Sequence, residues 1–347
     1  MRRLPIYFLI DVSESMVGEP QRQVERGMRD IIQELRTDPY ALETAWVSVI
    51  AFAGKAKTLT PLSEICSFYP PVMPVGGGTS LGAALDHLMA SIDREVTPTT
   101  REAKGDWKPL VFIFTDGTPT DNPDSAISRW QKRYASRANV VAIAIGENVD
   151  TALLGRITKE IVRFNDRGEA SYREFFKWVT ASIRTSSMSV ADFSDENLKL
   201  PKVDGINLEK INPDEPCRVD ERFVVLLGRC QNTDSKYLIK YRRSSQHIEG
   251  LGAFTPSDFR LVGAYPVDPQ SYEELSMPGA TGRKVNSMEL IGAPTCPCCG
   301  NQMALVVCQC GNIFCVGESK TNRCPWCGLQ GTLSEASVGF DISRTRG

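Results

Sequence analysis

The run Leu4-Pro-Ile-Tyr-Phe-Leu-Ile10, followed at once by Asp11-Val-Ser13-Glu-Ser15, limits what this chain can fold into more than any other stretch. Its apolar residues have no helical period, and a continuous apolar run of this kind fits a strand of a parallel sheet, buried on both faces. In open α/β sheets, ligands gather in the crevice beyond the carboxyl ends of the strands. Asp11, Ser13 and Ser15 stand at that end. They are hard oxygen donors at alternate positions, a set suited to Mg2+ or Ca2+ rather than to a thiolate-seeking metal. Short Asp/Ser clusters also make turns and helix caps, so the triplet gains meaning only from the segments that could meet it.

Two segments could. Gly76-Gly77-Gly78-Thr79-Ser80 precedes a helix whose apolar face is Leu81, Ala84, Leu85, Leu88, Met89 and Ile92. Val111-Phe-Ile-Phe-Thr115-Asp116-Gly117 is a second apolar strand ending in a carboxylate. In identity and order, Asp11-x-Ser13-x-Ser15, Thr79 and Asp116 resemble the metal-ion-dependent adhesion site of von Willebrand factor type A domains. That resemblance implies a doubly wound, mostly parallel α/β domain over residues 1–185, with Mg2+, or Ca2+ or Mn2+, held by those five residues.

The rest of that stretch alternates as such a fold requires. Gly18-Glu-Pro20 opens a helix buried through Val24, Met28, Ile31, Ile32 and Leu35. A strand over 44–52 and an antiparallel edge strand over 55–59 follow, with a loop at Pro61. Asn122-Pro123 opens a helix carrying Ile127, Trp130 and Tyr134; strands over 140–145 and 161–164 flank a short helix at Leu153. Ser171-Tyr-Arg-Glu174 is a capping box for a last helix through Phe176, Val179 and Ile183. Cys66, with no cysteine near it, reads as a small buried apolar residue, and His87 as structural. Asp121 reads as a turn or capping residue or as support for the metal site.

From Thr185 the chain turns Ser-rich and aperiodic, giving an expected linker over 186–215 before a β-rich domain over 216–343. Its short strand-like runs are 223–227, 237–241 and 259–262, with Arg242 and Arg243 on a solvated edge. Eight of the eleven cysteines fall between Cys296 and Cys327. The apolar run after Met1-Arg-Arg meets Asp11 too soon for a signal peptide, so clustered cysteines point to metal rather than to disulfides.

Cys296-x-x-Cys299-Gly and Cys324-x-x-Cys327-Gly are knuckles, and together predict a zinc ribbon over 296–328. The first expected Zn2+ set is Cys296, Cys299, Cys324 and Cys327; a rival joins Cys308 and Cys310 to Cys324 and Cys327. Cys308, Cys310, Cys315 and Cys298 are left as ligands of a second Zn2+ or as alternative ligands of the first. All-thiolate sets keep no open position, so this zinc is structural, replacing core that a short segment cannot build.

A von Willebrand type A segment followed by a cysteine-rich β segment is similar to the TerY proteins of bacterial tellurite-resistance systems. The resemblance implies a cytoplasmic stress-response protein linked to a Ser/Thr kinase and a phosphatase, and itself a phosphorylation target. Thr185 to Ser189 would offer accessible hydroxyls. Read from the residues themselves, the first site is a binding module: few anionic ligands leave the ion electrophilic, with a position that a partner's Asp or Glu can fill. An aspartyl-phosphate enzyme would need a second carboxylate where Ser13 stands, and two histidines with no phosphate-binding loop leave no legible catalytic set. A net charge of −2 and no basic stripe near the cysteines argue against nucleic acid, and no apolar run reaches membrane-spanning length.

Overall fold

Leu4–Asp11 (β1) is buried along its whole length and stands inside the first sheet, with a strand on either side. The computed structural model describes residues 2–145, 149–164, 176–186, 208–210, 223–244, 258–277, 283–319, 321–332 and 339–345. These group into two units, 1–73 with 79–219, and 74–78 with 220–347.

In the first unit, β1 pairs in parallel with Ala45–Phe52 (β2) and with Leu110–Thr115 (β4). Asn139–Ile145 (β5) and Glu160–Phe164 (β6) extend the parallel set beyond β4. Ala56–Glu64 (β3) closes the β2 edge antiparallel, and the strand order is β3-β2-β1-β4-β5-β6 before one further edge strand. The chain winds outward one way from β1 and the other way from β4. The crevice between their carboxyl ends is therefore the switch point at which such sheets bind ligands.

Alternation along the strands loads both faces. Tyr7, Leu9, Val111 and Ile113 meet the apolar sides of Leu81–Glu95 (α3) and Asp124–Arg133 (α4). Phe8, Phe112 and Phe114 are the aromatic residues of the other face; Phe8 stacks on Phe112 at 5.5 Å, and Phe114 on Phe176 of a helix over 176–186 at 6.3 Å. That helix packs on Glu19–Leu35 (α1), which the short helix Pro39–Thr44 (α2) follows in the chain, and the Phe176 ring occupies the space beside Gly27. The apolar positions expected on α1, α3 and α4 are buried.

Several local expectations change. Pro61 lies within β3 rather than in a loop, at the sheet edge, where a residue without an N–H breaks no ladder bond that the sheet needs. Leu208–Lys210 (β7), inside the stretch expected as linker, pairs antiparallel with β6 and becomes the other edge. The helix over 176–186 carries Thr185 and Ser186, whose hydroxyls donate to the Ala181 and Ser182 carbonyls at 2.8 and 2.9 Å, so those two hydroxyls are not the free linker groups expected. Residues 187–189 and the capping box at Ser171 lie outside the described residues. Cys66 is exposed, in the turn that ends β3.

The second unit is built on a six-stranded sheet. Phe223–Arg229 (β8), Lys236–Arg243 (β9) and Phe259–Pro266 (β10) form an antiparallel meander. Leu290–Ile291 joins β10 in parallel, and the hairpin Met303–Val307 with Ile313–Val316 joins β8 in parallel through its second strand. Tyr237, Tyr241, Val224 and Ile313 share one core with Cys230, Cys296 and Cys315.

Gly27 gives a test whose sign is informative. Gly→Ala in an exposed helix interior stabilises by about 1 kcal/mol, but a Cβ at Gly27 would stand 2.0 Å from the Phe176 ring. Gly27→Ala is therefore expected to destabilise by about 1–3 kcal/mol, measured by urea unfolding; an unchanged or raised midpoint would contradict this packing.

Candidate metal centres

Asp11 ends β1 with no exposure at all. Its Oδ1 accepts the Ser13 N–H at 2.9 Å and its Oδ2 accepts the Thr115 hydroxyl at 2.7 Å. The Ser13 and Ser15 hydroxyls are 3.0 Å apart, and Ser15 donates to Asp116 Oδ1 at 2.8 Å. Thr79 is buried, and a Cβ built on Gly117 would stand 3.8 Å from its Oγ1. All five residues expected at the first site thus converge on the β1/β4 switch point.

Thr115, Thr120 and Asp121 are additions that the motif does not show. Thr79 N–H donates to Thr120 Oγ1 at 2.9 Å, and Thr120 N–H donates back to the Thr79 carbonyl at 2.7 Å. Asp121 accepts the Leu81 and Gly82 N–H groups at 3.1 and 2.9 Å and the Ser80 hydroxyl at 2.6 Å. It caps α3 from a different loop, offsetting the partial positive charge of that helix start, and ties the Thr79 loop to the Asp116 loop. His87 bonds Thr58 Oγ1 at 2.7 Å, as a structural histidine should.

Burial, and after it the Asp116 charge, push the Asp11 carboxyl from 3.8 up to about 7, against the lowering hydrogen bonds from Ser13 and Thr115. A wholly buried carboxylate facing a second one is costly unless a cation offsets both. Two carboxylates and three hydroxyls are the donor chemistry of a hard divalent ion, so the residues fit the metal that the motif implies.

The cysteines form two quartets. Sγ atoms of Cys230, Cys296, Cys299 and Cys315 lie within 4.8 Å of one another, as do those of Cys308, Cys310, Cys324 and Cys327. Pairs within them stand at 3.6 to 3.9 Å. Four thiolates at about 2.3 Å around a tetrahedral Zn2+ are separated by about 3.8 Å. The spacing fits zinc and is far longer than the roughly 2.05 Å of a disulfide.

The first expected set, Cys296 and Cys299 with Cys324 and Cys327, is divided between the two quartets. The rival set of Cys308 and Cys310 with Cys324 and Cys327 is one of them. Cys315 joins Cys296 and Cys299, because its strand pairs with β8 beside Cys230. Cys298 belongs to neither: its thiol points to the Lys236 carbonyl at 3.9 Å, and burial, followed by the Cys296 charge, pushes it up to about 12.

Cys230 is the quartet member that sequence reading missed. Its turn copies the knuckle geometry: Cys230 N–H donates to the Ser235 carbonyl and Asp234 N–H to the Cys230 carbonyl, as Cys296 and Cys324 do with Asn301 and Leu329, and Gly300 and Gly328 with those cysteines. Gly300 and Gly328 take φ +79° and +77°; Asp234 takes φ +61° in the matching place. Burial would raise the Cys230 thiol, but hydrogen bonds from Thr233 bring it down to about 7.

Residues 6–177 match the von Willebrand factor type A domain family and residues 220–347 the TerY-C metal binding domain. Inter-alpha-trypsin inhibitor heavy chain H6 of Homo sapiens is 25% identical over 161 residues, covering 45% of this chain and 12% of its own length. A von Willebrand factor A domain-containing protein of Dictyostelium discoideum is 28% identical over 156 residues, covering 42% of this chain and 16% of its own. The chain thus spans under a fifth of these relatives. Among solved structures, a von Willebrand factor type A protein from Catenulispora acidiphila aligns at 18% identity with a TM-score of 0.42, over 54% of this chain and 43% of that one.

Two outcomes follow from this geometry. The raised Asp11 carboxyl holds its proton in the folded, metal-free protein up to about pH 7, while the unfolded chain loses it near 3.8. Metal-free stability therefore falls as pH rises between those values, and a cation that needs the carboxylate gains most above them. The rise in Tm on adding Mg2+ should be small at pH 5 and large at pH 8; equal rises would contradict the site. Purified without any chelator, Cys230→Ser should carry one equivalent less thiolate-bound metal than wild type and Cys298→Ser the wild-type amount, read by metal analysis of the purified chains.

Proposed function

We propose that this chain, in which a von Willebrand factor type A domain is joined to a TerY-C metal binding domain, is a metal-dependent adaptor that grips an acidic residue of a partner protein. The convergence of Asp11, Ser13, Ser15, Thr79 and Asp116 carries this reading. Ser13, Ser15 and Thr79 would hold Mg2+ through hydroxyls, with Asp11 and Asp116 contributing directly or through water. When bound, the ion supplies a Lewis-acidic position for an outside carboxylate. The protein's part is rigidity: Thr120 and Asp121 fix the Thr79 loop, and Thr115 fixes Asp11.

Two Zn2+ ions, one per cysteine quartet, would serve as structural cross-links in the second unit. Non-enzymatic action is part of the same proposal, supported by serine at position 13, where aspartyl-phosphate chemistry calls for a carboxylate. The kinase and phosphatase partnership and the tellurite-resistance setting rest on the likeness to TerY proteins. A cytoplasmic location rests on the same likeness, and cysteines grouped at metal-ligand spacing agree with it. Among the described residues no helix is long and apolar enough to cross a membrane.

An immobilised chain incubated with extract of its host, in Mg2+ or in EDTA, tests the adaptor reading. Partners held in Mg2+ should elute with EDTA and bind Asp11→Ala at least tenfold less, while that variant keeps its far-UV circular dichroism. Retention unaffected by both EDTA and the substitution would refute the reading.

A further inference from the structure

Arg229, the last residue of β8, sits between the two cysteine quartets and touches the supports of both. Its Nε donates to the Asp234 carbonyl at 3.2 Å and its Nη2 to Asp234 Oδ2 at 2.6 Å. Asp234 is the positive-φ residue that closes the Cys230 turn. From the same guanidinium, Nη1 donates to the Pro325 carbonyl at 3.1 Å, inside the Cys324-Pro-Trp-Cys327 knuckle, and Cζ lies 5.5 Å from the Trp326 ring centroid.

Two further links run in parallel. Gln231, next to Cys230, donates to Asn322 Oδ1 at 3.1 Å, two residues before Cys324. Trp326 Nε1 donates to the Ile313 carbonyl at 2.7 Å, on the strand that supplies Cys315 to the other quartet. No other residue among these reaches both knuckles with a charge. A fully thiolate-bound Zn2+ carries two excess negative charges, and an arginine fork that bonds both supports attracts each centre while fixing its geometry.

We propose that Arg229 is a positioning residue that couples the two metal centres, so that binding at one stiffens the knuckle of the other and the pair loads and releases together. This rests on the reading of both quartets as zinc sites. The centres differ in exposure. Cys230, Cys296 and Cys315 are buried, whereas Cys310 and Cys327 are exposed. Left to itself, the outer centre would lose metal first. The Arg229 bridge binds it to the turn of the buried one, and partners of this kind set metal affinity by about 10- to 100-fold.

The test is release of zinc from the full chain during titration with a chromophoric chelator, with bound metal counted separately by elemental analysis. Wild type should start with two zincs and release both in one transition. Arg229→Ala should start with two and release them in two steps, the first at about tenfold less chelator. Arg229→Lys, one point charge without a fork, should fall between them. Far-UV circular dichroism of each zinc-loaded chain checks that it is folded. Two separate steps in wild type, or a single unshifted transition in Arg229→Ala, would overturn the coupling while leaving the zinc sites standing. Fewer than two zincs in wild type would overturn the zinc reading and the coupling with it.

Discussion

The carboxylate of Asp11 has no exposure to water and faces the carboxylate of Asp116 through Ser15. The first unit is arranged to sustain that placement. An apolar strand walled by partners on both edges and by helices on both faces fixes the backbone of Asp11, while Thr115 and the Ser13 N–H hold the side chain. Separately, Asp121 and Thr120 bind the Thr79 loop to the Asp116 loop, so the three segments are presented as one rigid rim. Gly82 is needed there because a Cβ would stand 2.6 Å from Asp121 Oδ2. A rim of this kind concentrates negative charge and hydroxyl dipoles at one point, where a single cation would relieve the cost.

The second unit solves a different problem. Its sheet is small, several of its strands are two or three residues long, and cysteine quartets stand where a larger domain would place aliphatic core. Thiolate cross-links bring distant turns together without a long hydrophobic contact. Cys230 after β8, Cys315 on a later strand and the Cys296–Cys299 knuckle meet at one point, and the sheet register alone makes this possible.

Much of the first unit was legible because parallel strands and amphipathic helices announce themselves by period, and because the five site residues lie in three segments whose ends must meet at a switch point. Thr120 and Asp121 were less so, since a Gly-Thr-Pro-Thr-Asp turn looks the same whether it caps a neighbouring helix or only its own loop. In the second unit, pairing the two C-x-x-C-Gly knuckles followed the sequence's own symmetry and failed: strand pairing of β8 with Ile313–Val316 carries one knuckle to Cys230 and leaves the other to Cys308 and Cys310. Cys230 escaped notice because it has no second cysteine nearby and its turn uses Asp234 where glycine is the usual signal. Exposure of Cys66 was beyond reach for a similar reason, as a turn after an edge strand leaves no periodic trace.

Mn2+ with water-proton relaxation is the decisive measurement for an ion held by β1 and its two neighbouring loops with a position left for an outside oxygen. Manganese prefers oxygen donors to the thiolate quartets, and Asp11→Ala separates this site from the chain's other carboxylates. One Mn2+ per chain should bind with rapidly exchanging inner water, which a peptide carboxylate displaces, and binding should be lost in Asp11→Ala. A chain that binds no Mn2+, or binds it without exchangeable water, would contradict such a site.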